Sequence, residues 1–176
     1  MNIKSGRLSV VNSDVQALTF SGYASLFSLA DLGGDIVERG AFAASLRRGS
    51  TVRMLWQHQA DNPIGIWTKI TEDQHGLYVE GQLACGVARA EEAWRLIESG
   101  ALDGLSIGFR ALRSKKSAAT GKRHILEADL WEVSLVTFPM LPQARVTAVQ
   151  HKNQDAVISA HIIRRAAACL RTRASF

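Results

Sequence analysis

The sequence is poor in cysteine: among 176 residues only Cys85 and Cys169 carry a thiol. Two thiols make neither a disulfide framework nor a zinc cage, so a reducing, cytoplasmic setting is expected, with no metal and no cofactor. Long apolar runs are missing as well. Nothing approaches the roughly 20 residues of a membrane-spanning helix, and the opening MNIKSGRLSV lacks a signal-peptide core. No membrane partner is expected. A basic face on the folded body is the third absence. The chain carries +5, but Lys152, Arg164, Arg165, Arg171 and Arg173 against Asp155 alone put +4 of it beyond residue 150. The 16 basic and 15 acidic residues that remain leave the body nearly neutral, which argues against a specific nucleic-acid partner.

What is present suits one globular domain over residues 1–149, followed by a basic C-terminal tail over 150–176. Alternating β-branched and aromatic residues predict strands at 7–11, 17–27, 52–58, 64–71, 76–83, 106–112 and 125–138. Gly22, Gly33-Gly34, Asn62-Pro63 and His75-Gly76 punctuate them as turns or bulges. Residues 40–48 (GAFAASLRR) read as a short helix with a basic last turn. Residues 88–102 (ARAEEAWRLIESGAL) read as a clearer one, with Trp94, Leu96 and Ile97 as its apolar stripe and Gly100 at its end. The polar, basic stretch 113–123 reads as an exposed hairpin loop. About seven strands with two inserted helices imply a mainly β fold, a barrel or a sandwich with helical additions. The tail reads as a helix over 155–170, as an ordered arm that a partner captures, or as a disordered tail, and its charge fits a processed or docking segment.

Residues 103–109 read DGLSIGF and contain Gly104-Leu105-Ser106-Ile107-Gly108, a G-x-S-x-G. In α/β-hydrolases this motif places a nucleophilic serine on a strand-to-helix turn. Here a helix precedes Ser106 and strand-like sequence follows it, so that scaffold is excluded. Gly104 and Gly108 give the backbone around Ser106 freedom to aim N–H groups.

A serine nucleophile needs a base, and the base needs an orienting group. Among five histidines, His58 lies at the end of an apolar strand just before a turn, where it is either a surface histidine or a base facing a cleft. His75 sits in a turn, His124 opens a strand, and His151 and His161 fall in the tail. For the third group the strand HILEADLWEVSLVTFP offers Glu127, Asp129 and Glu132. Strict period 2 puts Leu130, Glu132, Ser134, Val136 and Phe138 on one side, and Trp131, Val133, Leu135 and Thr137 on the other. Glu132 is thereby set in apolar surroundings, where an ionised carboxylate requires a partner. That partner is either the catalytic imidazole or an arginine such as Arg53 or Arg110.

Four separated blocks, SGYASLFSLADLGGDIVERGAF, MLWQHQADNPIGIW, SGALDGLSIGFRA and DLWEVSLVTFPMLPQARV, resemble in order and spacing the prohead (capsid maturation) proteases of tailed bacteriophages. That family is related in fold to the herpesvirus assemblins. The resemblance runs from about Leu18 to Val149. It implies a herpesvirus-protease-like fold, a seven-stranded barrel surrounded by helices. It further implies a serine endopeptidase in which His58, Ser106 and Glu132 match the histidine, the serine and the third member. The substrate implied is scaffold or capsid protein inside the immature shell in the host cytoplasm, with self-cleavage and a homo-oligomeric, dimeric state. Two other readings remain open: a small serine esterase using His124, His151 or His161 as base, and a non-catalytic capsid-assembly module of the same fold.

Overall fold

The structure, a computed structural model, describes residues 17–49 and 51–152. Eight strands and two helices follow one another: β1 (Ala17–Leu26), β2 (Asp35–Val37), α1 (Ala43–Arg47), β3 (Arg53–Trp56), β4 (Gln59–Glu72), β5 (Gly76–Leu83), α2 (Ala88–Glu98), β6 (Gly104–Lys116), β7 (Arg123–Val136) and β8 (Val146–Lys152). The strands form one mixed sheet in the order β2-β7-β3-β4-β5-β1-β8, with β6 also paired to β7. β7 therefore holds the position that matters here. It runs parallel to β2 and β3 and antiparallel to β6.

The expected fold is met in part. The chain is mainly β, but the strand pairing is an open path rather than a closed seven-stranded barrel. Closure would need a ladder joining β6 to β8, and among the described residues the backbone link there is the isolated bridge between Gly104 and Arg145. Two helices accompany the sheet among the described residues, too few to surround it. None of the described helices is long and apolar enough to cross a membrane. The expected strand at 7–11 and the expected tail helix at 155–170 lie outside the described residues.

The core is built where the period-2 apolar positions converge. Phe20, Phe42, Met54, Ile64, Leu77, Val79, Leu83, Leu105, Ile125, Leu130, Val133 and Leu135 are all buried in one cluster. Ala90, Ala93, Trp94 and Ile97 join it from α2, the i, i+3, i+4, i+7 stripe of an amphipathic helix. α2 ends in a Schellman arrangement. Gly100 has φ +73, its N–H meets the Ile97 carbonyl at 3.0 Å, and the Ala101 N–H meets that of Leu96 at 2.9 Å. That stop turns the chain through the buried Leu102 directly into β6, the strand that carries Ser106.

Two local expectations change, at 113–123 and at the end of the sheet, while Asn62-Pro63 meets its expectation as a bulge. The stretch 113–123 is not a loop throughout, because β6 continues to Lys116 and β7 begins at Arg123, leaving a short turn between them. Pro63 lies inside β4 opposite Leu55, between two register shifts. A proline in a strand is tolerated at such bulges because it has no N–H to give the ladder. β8 runs on to Lys152, past the point where the composition changes.

Candidate active site

β6 and β7 pair so that Ser106 stands opposite Ser134 and Gly108 opposite Glu132. Leu105 belongs to the core, and Ile107 and Phe109 pack against it, so Ser106 and Gly108 face the other way. On β7, Val133 and Leu135 enter the core while Glu132 and Ser134 share the face of Ser106. The strict alternation expected around Glu132 fails at Trp131. Gly108 pairs with Glu132 but Phe109 pairs with Leu130, so Trp131 is an extra, bulged residue and is largely exposed. The bulge reverses parity and sends Leu130 into the core with Val133 rather than to the side of Glu132.

His58 arrives from the other flank of β7. Trp56 pairs with Gln59, so Gln57 and His58 form a two-residue hairpin turn, with φ of +51 and +59. Two positive φ values are the signature of a type I′ turn, usually filled by asparagine and glycine. Glutamine and histidine in their place are an unfavourable backbone choice, of the kind found where geometry serves function. His58 is thus in the turn itself, not ahead of it.

The turn is held to β7 by several bonds. The Gln57 N–H donates to the Leu135 carbonyl at 2.9 Å, and Gln57 Nε2 donates to Thr137 Oγ1 at 2.8 Å. The His58 N–H donates to Ser134 Oγ at 3.2 Å. The imidazole then folds back so that Nδ1 lies 2.6 Å from Glu132 Oε1.

His58 is 42% exposed at its side chain and Glu132 only 13%. A carboxylate can only accept, so Nδ1 carries the proton and Nε2 is left as the basic nitrogen. The hydrogen bond to Glu132 raises the His58 pKa above its ordinary value; partial burial opposes this, and the carboxylate charge adds to the rise. The second carboxylate oxygen accepts from Ser134 Oγ at 2.6 Å. Glu132 therefore has its partner, and the partner is not an arginine. Arg53 stands opposite it in the β3–β7 register without an ion pair among the described residues. Arg110 instead bonds Asp129 and lies over the Trp131 ring.

The two glycines of the G-x-S-x-G do not turn the chain, since neither has a positive φ. They leave room. A Cβ on Gly108 would sit 2.2 Å from Glu132 Oε1 and 2.8 Å from its Cδ, so the carboxylate lies across the bare backbone of β6. A Cβ on Gly104 would sit 2.3 Å from the Val136 carbonyl oxygen. Gly108→Ala should therefore push the carboxylate off its position and lower kcat/KM about 10²-fold or more. Gly104→Ala should act chiefly on folding, at about 1–3 kcal/mol. Cleavage assays beside thermal melts separate the two, and a Gly108→Ala variant with unchanged kcat/KM would refute the steric account.

Ser106 itself is 4% exposed and is among the residues lining a narrow pocket. Leu29, Leu105, Met140 and Leu141 give the pocket apolar walls, with Asp31 and Asp35 among its polar groups. The downstream histidines do not reach this place by the same route. His124 bonds Glu38 Oε1 at 2.7 Å and stands opposite Lys115, nine residues along β6 from Ser106, about 30 Å at strand rise. The side chain of His151 and all of His161 lie outside the described residues. No group of three His, Cys, Asp or Glu suited to a metal ion is found among the described residues.

Residues 7–157 match the family described as Caudovirus prohead serine protease. The chain belongs to that family. It is 35% identical over 134 residues to the prohead protease of Enterobacteria phage HK97, a match covering 74% of this chain and 60% of that relative. The prohead protease of Escherichia phage T5 is 29% identical over 123 residues, 67% of this chain and 56% of its own length. The chain thus spans less than two thirds of either relative.

Among solved structures, the protease of KSHV in complex with a hexapeptide phosphonate inhibitor superposes with a TM-score of 0.55 at 17% identity, over 88% of this chain and 78% of that one. The capsid assembly protease of bacteriophage T4 gives 0.55 at 9% identity, over 68% and 82%. Both are likenesses of fold alone, and the first agrees with the expected herpesvirus-protease-like fold.

The residue that sequence reasoning missed is Ser134. Its signal was available: a hydroxyl two residues from Glu132, in an otherwise apolar run, must find partners when buried.

Proposed function

We propose that the chain is a serine endopeptidase that cleaves scaffold or capsid-protein segments during maturation of the phage prohead, and that it cleaves itself. Ser106 is the nucleophile, His58 the general base and then acid, and Glu132 the carboxylate that orients the imidazole. The observation that carries this reading is the 2.6 Å bond from His58 Nδ1 to Glu132, made on the sheet face that Ser106 shares. Directly opposed residues of an antiparallel pair have Cβ atoms about 5 Å apart. Ser106 is therefore a near neighbour of Ser134, whose hydroxyl touches both members of the His–Glu pair.

Ser106 Oγ attacks the carbonyl carbon of the scissile peptide while His58 Nε2 accepts its proton. The imidazolium that forms is stabilised by Glu132. Collapse of the tetrahedral intermediate expels the amine, which takes the proton from Nε2, and leaves an acyl ester on Ser106. Water, deprotonated by the same nitrogen, then hydrolyses the ester. Family membership supports capsid maturation as the setting, within assembling shells in the host cytoplasm; we further propose that the enzyme acts as a dimer. A 35% identical match over 110 residues to part of a protein called capsid polyprotein, from Pseudomonas phage PAJU2, supports a capsid-protein substrate.

Co-assembly with the cognate capsid and scaffold proteins tests this reading, with cleavage followed by intact mass. Wild type should yield truncated products, and Ser106→Ala should yield none at equal protein level. Continued cutting by Ser106→Ala would end the proposal.

A further inference from the structure

Ser134 is 0% exposed and lies near the C-terminal end of β7, opposite Leu55 on β3 and opposite Ser106 on β6. A small apolar side chain would fill such a site without a desolvation cost, whereas a hydroxyl there must be satisfied. Both of its hydrogen bonds go to the same pair of residues. It donates to Glu132 Oε2 at 2.6 Å and accepts the backbone N–H of His58 at 3.2 Å. Neither is a bond of the sheet ladder.

We infer that Ser134 is a positioning residue for the reaction, one hydroxyl that fixes the imidazole and the carboxylate against each other; this rests on the serine-protease reading above. Donation to Oε2 stops the carboxylate from rotating, so that Oε1 stays directed at Nδ1. The same oxygen anchors the backbone of His58 in a turn whose two residues both have positive φ. Gln57 and Thr137 clamp that turn separately, at 2.8 and 3.3 Å, so the hairpin is expected to survive loss of the Ser134 hydroxyl. What should be lost is the fixed relation between base and carboxylate, and with it the readiness of Ser106 to react.

An alkyl fluorophosphonate, which labels activated serines, measures that readiness without a known substrate. The full-length chain is compared as wild type, Ser134→Ala, Ser134→Thr, Glu132→Ala and the Glu132→Ala/Ser134→Ala double variant. Ser134→Ala should be labelled about 10–100-fold more slowly, the range expected for one hydrogen bond to a charged group. Ser134→Thr, which keeps the hydroxyl, should restore labelling. In the Glu132→Ala background, removing the Ser134 hydroxyl should change the rate by no more than about threefold, since its acceptor is already gone.

A merely structural role predicts the same fold-loss in both backgrounds, and that outcome overturns the inference even if the threonine variant fails to fold. Labelling of Ser134→Ala at the wild-type rate overturns it too. Absence of labelling in wild type, or equal labelling of Ser106→Ala, overturns the serine reading and the inference with it.

Discussion

Ser106→Ala should lower peptide-bond hydrolysis about 10⁴–10⁶-fold, His58→Ala should do the same, and the double variant should be no slower than either single one. In the proposed mechanism the hydroxyl and the imidazole act as one unit. Without the hydroxyl there is no proton for Nε2 to take; without the imidazole the hydroxyl remains a neutral alcohol and a poor nucleophile. Product accumulation in assembled shells, followed by mass, gives the rates, and equal thermal midpoints exclude unfolding as the cause. Losses that multiply in the double variant would mean that the two residues contribute independently, and the shared-step mechanism would fall.

Glu132→Gln should cost about 10⁴-fold, as expected when an orienting carboxylate becomes an amide. The amide can donate to Nδ1, which then carries no proton, so Nε2 becomes protonated and ceases to be a base. The same change has a signature in the resting protein. The hydrogen bond and charge of Glu132 hold the His58 pKa above its ordinary value, so wild-type His58 should lose its proton at a pH above that of an unperturbed histidine. In the proposed mechanism the neutral imidazole is the active form, hence kcat/KM should rise as pH climbs through that elevated pKa. In Glu132→Gln the raising contributions are lost while partial burial, which lowers the pKa, remains; the titration must shift to lower pH. NMR titration of His58 reads this directly. An unchanged or higher pKa in the variant would show that the contact is not the source of the shift.

Of the three positions named from the sequence, the structure joins His58 to Glu132 and sets Ser106 on the same sheet face, by a construction the sequence does not reveal. Glu132 stood out because a carboxylate within VSLVTF-type sequence needs a partner, and it has one. That the partner is His58 rather than Arg53 or Arg110 depends on a hairpin turn with two positive φ values, for which glutamine and histidine give no sequence signal. The Trp131 bulge escaped period-2 reasoning for a related cause. Alternation describes a strand against its own axis, whereas a bulge exists only relative to the partner strand. Gly104 and Gly108 were read as sources of backbone freedom, yet they serve as empty space, and space is a property of what packs opposite.

By itself the sequence determined the mainly β character, the helix that delivers the chain to β6, the near-neutral body with its basic tail, and the family to which the four blocks belong. Those are properties of local periodicity, composition and ordered motifs, readable without knowing which segments meet. Only the tertiary structure decided that β7 is flanked by β3 and β6, which brings an imidazole, a carboxylate and two serine hydroxyls from three segments to one sheet face. Strand order and register follow from which apolar faces can be buried together, and that selection is made by the whole chain at once.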